Sequence, residues 1–185
     1  SVVLKPAEQT SLTALRALHL LHEAGLPHDV FQIVTGRGET LGPPLVEGVD
    51  ALCFTGSTEV GRTVAAQAGR NLIHASMELG GKNPLLVLDD ADLDRAVEGA
   101  VRMGFANAGQ ICVAAERVYV HRSVYGTFRD RLVRRVEALR LGTTGYDVEM
   151  GSLVSDEMLE KVEAHVADAR AKGATVLTGG RRRPD

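Results

Sequence analysis

Two periods of apolar residues alternate along this chain. Residues 2–5 form a short β-branched apolar run, which predicts a strand. Residues 10–24 carry Leu12, Leu15, Leu18, Leu20 and Leu21 at helical recurrence, and Gly25 and Pro27 supply the stop. A strand over 30–35, a short helix over 40–47 and a strand over 51–55 follow. The next helix spans 57–68, with Ser57 or Thr58 able to cap it, and a fourth strand covers 71–78. Beyond Gly80-Gly81, residues 84–88 predict a strand. A helix then runs to Ala108, with Asp89, Asp90 and Asp92 loading its positive end. A strand over 117–121, helices over 123–140 and 155–172 and a closing strand over 175–178 complete the pattern. Such alternation predicts an α/β fold with a parallel or mostly parallel sheet covered by helices. The Gly80-Gly81 break is the best internal boundary.

Bulk properties narrow the function. The 185 residues are 44% hydrophobic and 24% charged with a net charge of −3, ordinary for a globular protein and without a basic field for nucleic acid. Arg181-Arg182-Arg183 is the one dense basic run, and a solvated loop accounts for it. No apolar run approaches the roughly 18 residues of a membrane helix, and no signal-peptide pattern occurs. Two distant cysteines, Cys53 and Cys112, argue against a disulfide framework and for a reducing cytoplasmic setting. The six histidines are scattered without a completing cluster, so no metal site is expected. The chain opens on an apolar strand and closes in a loop at Arg183-Pro184-Asp185, and we expect it to be a piece of a longer protein.

Candidate chemistry sits at four places. Cys112, in Phe105-Ala106-Asn107-Ala108-Gly109-Gln110-Ile111-Cys112, is a candidate nucleophile whose own amide could donate to an oxyanion. Glu78, in Met77-Glu78-Leu79-Gly80-Gly81-Lys82-Asn83-Pro84, is a candidate general base, and partial burial would raise its pKa; an ion-paired carboxylate is the alternative. Together they suggest attack on a carbonyl by Cys and activation of water by Glu. Phe54-Thr55-Gly56-Ser57-Thr58-Glu59-Val60-Gly61 reads as strand, tight turn and helix. Its free amides and Ser57 hydroxyl could hold a phosphate, and Gly61 would let the helix pack closely; an ordinary helix start fits equally well. Lys5-Pro6-Ala7-Glu8-Gln9-Thr10 follows the first strand, where Lys5 and Glu8 could reach ribose hydroxyls. From these residues alone a helix start capped by Thr10 is the better reading. Cys53 reads as inert core, and Asn107 and Lys82 as residues that position the main chain.

Side by side and in this order, these four segments resemble the aldehyde dehydrogenase superfamily over essentially the whole chain. The resemblance implies a Rossmann-like, parallel-sheet nucleotide-binding part followed by part of an α/β catalytic domain. Residues 1–80 would be the C-terminal half of the NAD-binding domain and 81–185 the N-terminal half of the catalytic domain. It implies Cys112 as nucleophile, Glu78 as base, Lys5 and Glu8 at the adenosine ribose, and Gly56, Ser57 and Gly61 at the cofactor turn. A thiohemiacetal, held by the Cys amide and an Asn side chain expected upstream of Ser1, becomes a thioester that water hydrolyses. Glu8 would repel a 2′-phosphate, which favours NAD over NADP, although Lys5 pulls the other way.

Residues 76–113 and 150–180 are similar to bacterial succinate-semialdehyde dehydrogenases. The implied partner is a small-molecule aldehyde, with no nucleic acid and no membrane, and the implied parent is a cytoplasmic homodimer or homotetramer. The piece alone is expected to be inactive and to expose apolar faces. Two alternatives stand beside this reading. One is a CoA-acylating relative, against which the presence of Glu78 counts. The other is a non-catalytic nucleotide-binding or structural relative.

Overall fold

The computed structural model describes residues 1–183; Pro184 and Asp185, the end of the expected closing loop, lie outside them. The chain forms two compact units, Ser1–Gly80 and the residues from Gly81 onward.

The first unit repeats one theme, a strand crossing through a helix to a parallel strand. β1 (Val2–Leu4) pairs in parallel with β2 (Phe31–Ile33), Val2 opposite Phe31 and Leu4 opposite Ile33. Their crossover is α1 (Ser11–Glu23), entered through a 3-10 turn at Glu8–Thr10. Gly25, at φ 95°, ends α1 as its N–H returns to the His22 carbonyl. Thr10 sits at the cap position, but its hydroxyl donates to the Ala7 carbonyl and caps no helix amide.

α2 (Gly38–Glu47) leads to β3 (Ala51–Gly56), α3 (Thr58–Arg70) and β4 (His74–Leu79). β3 and β4 are parallel, from Ala51 opposite His74 to Gly56 opposite Leu79. The two strand pairs are joined through helices. Gln67 Nε2 donates to the Pro43 carbonyl at 3.0 Å and Asn71 Nδ2 to that of Val46 at 3.5 Å, around buried Val46 and Ala68.

The second unit holds β5 (Asn83–Val87), α4 (Leu93–Phe105) and β6 (Ala115–Val120), again with parallel pairing, then α5 (Tyr125–Glu137) and α6 (Asp156–Ala171). Its core is Val87, Val97, Ala100 and Phe128, flanked by Leu85, Ala96, Val120 and Leu132. α4 starts sharply because the Asp92 carboxylate accepts the amides of Asp94 (3.0 Å) and Arg95 (3.2 Å). Ser155 caps α6 in the same way through the Met158 amide. Arg135 joins Glu98 to Glu149, whose carboxyl is held below its ordinary value by the Arg140 amide and then by Arg135.

The fold class is the expected α/β, and every ladder among the described residues is parallel. Four details differ. Hydrogen bonding divides the strands into three separate pairs, since a ladder requires a neighbour within about 5 Å. Residues 175–178 form no strand, because no strand lies beside them to pair with. The helix expected to reach Ala108 stops at Phe105, since Ala106 turns to an extended conformation and Asn107 and Ala108 are left-handed. Cys53, expected in a core, is exposed on β3.

Candidate active site

At the end of β1, Lys5 Nζ bonds Glu8 Oε1 at 2.9 Å, and the same oxygen accepts the amide of Gly38, thirty residues on, at 2.9 Å. Glu8 thereby steadies the first turn of α2. Lys5 and then the backbone amides, including Gly38, hold the exposed Glu8 carboxyl down at about 2. One oxygen is committed to this work.

At the end of β3, Gly56, Ser57 and Gly61 come together in one turn. Ser57 Oγ caps α3 by accepting the Val60 amide at 3.2 Å, and the amides of Thr58 and Glu59 have no acceptor among the described residues. A Cβ on Gly56 would lie 2.6 Å from Cζ of Phe54, whose ring folds over the turn. A Cβ on Gly61 would lie 2.6 Å from Cδ2 of Leu79, so α3 sits on β4 at a spacing where a methyl group would force the Leu79 side chain to move. Bare backbone, unpaired amides and a helix N-terminus suit a phosphate ester.

Glu78 stands on β4 opposite Thr55. It is exposed in its unit rather than partly buried as expected, and its carboxylate has no hydrogen bond or ion pair among the described residues. The ion-paired alternative is therefore not realised.

In the second unit, Cys112 occupies a central position of the turn that the Ala114 amide closes on the Ile111 carbonyl at 3.0 Å. Its thiol is exposed, and no carbonyl or side chain among the described residues takes its amide N–H. That amide is free to donate to an oxygen developing charge beside the sulfur.

The approach to this turn is strained. Asn107, Ala108 and Gly109 follow one another at φ 51°, 57° and 77°. Paired side-chain amides hold them there: Asn107 Nδ2 donates to the Gln110 carbonyl (3.1 Å) and Gln110 Nε2 to the Asn107 carbonyl (3.0 Å). Gln110 Oε1 also accepts the Val154 amide at 2.9 Å. Asn107 thus positions main chain, as expected. Lys82 does so less directly: its ammonium pairs with Glu116, while its carbonyl accepts Arg117 Nη2 at 2.8 Å and Nε at 3.2 Å.

Sequence reasoning missed the roles of Gln110, Arg117 and Asn83. Glu78 belongs to the first unit and Cys112 to the second.

The sequence profile of the aldehyde dehydrogenase family matches residues 1–185. The chain is 49% identical, over 186 aligned residues, to a putative succinate-semialdehyde dehydrogenase [NADP(+)] of Mycolicibacterium smegmatis; the match covers all of this chain and 36% of that protein. It is 46% identical to succinate-semialdehyde dehydrogenase [NADP(+)] GabD of Escherichia coli, over 98% of this chain and 38% of the relative. Its structure superposes on the NAD+ complex of an aldehyde dehydrogenase from Bacillus cereus with a TM-score of 0.95 and 41% identity, over all of this chain and 38% of that one. The strand–turn–helix cradle and the exposed thiol turn are therefore those of a chain that belongs to the aldehyde dehydrogenase family. It spans little more than a third of the length of the relatives it matches.

Proposed function

We propose that the full-length protein oxidises an aldehyde to the carboxylic acid with NAD(P), and that this chain supplies its nucleophile, its base and part of its nucleotide site. The observation that carries the reading is the Cys112 turn, an exposed thiol beside its own unused amide. Residues 1–80 act as the C-terminal half of the nucleotide domain and residues 81–185 as the N-terminal half of the catalytic domain.

Cys112 attacks the aldehyde carbon as thiolate, and its amide N–H donates to the oxyanion of the resulting thiohemiacetal. Gly56, Ser57 and Gly61 hold the dinucleotide's pyrophosphate, and Lys5 and Glu8 its adenosine ribose. When bound, the nicotinamide is the hydride acceptor for this chemistry. Cys112 is left as a thioester, and Glu78 takes a proton from the water that hydrolyses it, releasing acid and thiol. Glu8 presents a carboxylate to the ribose and so favours NAD over a 2′-phosphorylated cofactor, even though the two relatives described above are named for NADP(+).

Succinate semialdehyde is the proposed substrate, on the strength of those relatives' names. Among the described residues no helix is long and apolar enough to cross a membrane. A reducing cytoplasmic setting suits an exposed thiol, and a homodimer or homotetramer is the assembly proposed for the full-length protein.

Reduced-cofactor formation by the full-length protein, with succinate semialdehyde and a panel of simple aldehydes, tests the reading. Cys112→Ala should abolish oxidation and leave cofactor binding largely intact. Oxidation that persists in this variant overturns the nucleophile assignment.

A further inference from the structure

We infer that Asn83 is a positioning residue that fixes the nucleophile turn, a role that rests on the reading of Cys112 as the attacking thiol. The β5–β6 ladder is irregular at its start. Asn83 lies opposite Ala115, but Pro84 lies opposite Arg117, so Glu116 is passed over. The carbonyls of Cys112 and Ala114 lie just ahead of β6. The Asn83 side chain takes both: Nδ2 donates to Cys112 O at 2.7 Å and to Ala114 O at 3.0 Å. Both hydrogens of one amide are used, which fixes its orientation as well as its place.

The anchor is itself anchored. The preceding carbonyl, that of Lys82, is gripped by two nitrogens of Arg117. The start of β5 therefore cannot drift from β6 without breaking side-chain bonds on both sides. On the other flank of the turn, Gln110 is tied to Asn107 and Val154. Cys112 is thus held from before by Gln110 and from after by Asn83. Setting the Cys112 carbonyl sets the backbone rotation that carries the next peptide, and the closed turn carries that restraint to the Cys112 amide and sulfur. Attack at a carbonyl with an oxyanion donor in place tolerates little displacement; about 1 Å can cost on the order of a hundredfold in rate.

The test uses the full-length protein with Asn83→Asp, Asn83→Ser and Asn83→Ala. Asp keeps the shape of Asn but donates nothing, and sets a carboxylate against two carbonyl oxygens. It should lower kcat by about tenfold or more with cofactor KM little changed. Asn83→Ser keeps one donor and should recover part of the loss, while Asn83→Ala should resemble Asp. Iodoacetamide labelling of Cys112, followed on its own peptide because Cys53 is also exposed, should show an altered rate and pH profile in the Asp variant.

A folded Asp variant with the parent's kcat and labelling profile overturns the proposal. So does failure of all three variants to fold, which would make the amide a stability element only. Cys112→Ala in parallel separates the two claims. Oxidation surviving there removes the nucleophile reading itself, whereas its loss there together with a normal Asn83→Asp removes only the positioning role.

Discussion

Ala108 is the most telling single residue of the nucleophile approach. An alanine at φ 57° pays a steric penalty that glycine escapes, of roughly 1–2 kcal/mol, and it does so between Asn107 and Gly109, also left-handed. Ala108→Gly should be neutral or stabilising by up to about 1 kcal/mol, because relief of the clash outweighs the added freedom of the unfolded chain. Ala108→Val should destabilise by about 1–3 kcal/mol, since a β-branched residue is least at home there. Urea midpoints of the full-length protein check both.

Glu8 supports a second expectation at this scale. Its carboxyl titrates at about 2 in the fold against an ordinary 4.5, so the folded form binds its proton less readily than the unfolded one. Its contribution to stability is therefore complete above about pH 4.5 and lost as the pH falls towards 2. At any pH where the enzyme is assayed the carboxylate is ionised. Glu8→Gln should shift the ratio of kcat/KM for NAD to that for NADP towards NADP by about tenfold at fixed pH. An unchanged ratio in that variant would mean that some other group sets the preference.

At the scale of elements, two close fits decide how strands and helices are held. α3 meets β4 through Gly61, where a methyl group would fall 2.6 Å from Leu79. Gly61→Ala should cost about 1–3 kcal/mol and, by lifting the start of α3, weaken cofactor binding more than it changes kcat. α4 depends on its cap. Asp92→Ala removes the acceptor of two amides and should cost about 1 kcal/mol, read as a lower thermal midpoint. Both helices were legible in the sequence because a cap residue stood just ahead of an apolar stripe. The early end of α4 was not. Ala106 and Ala108 are strong helix formers, and the conformation they adopt is held by the reciprocal side-chain bonds of Asn107 and Gln110. The strand over residues 175–178 failed for the complementary reason, since a β-branched run is only a strand where another strand pairs with it.

For the molecule as a whole, surface is the governing quantity. The chain exposes 13393 Å², whereas two separately folded units of half its mass would expose about 10,400 Å². The excess is apolar in part: Val2, Val3 and Leu4 of β1, Leu86 of β5, and Leu12, Leu72 and Leu88 are all exposed. The 185 residues on their own should bind an environment-sensitive apolar dye strongly and self-associate as concentration rises, whereas the full-length protein should do neither. Weak dye binding by the isolated chain would mean that these surfaces close over one another in solution. The sequence by itself determined the order of strands and helices, the α/β class and the two short segments around Glu78 and Cys112, because periodicity, caps and glycine breaks act over a few residues. Only the tertiary structure decided that Glu8 grips the start of α2 and that Asn83 reaches the carbonyl of Cys112. Those bonds join residues whose meeting depends on which strands pair and in what register, and no local pattern in the chain records that.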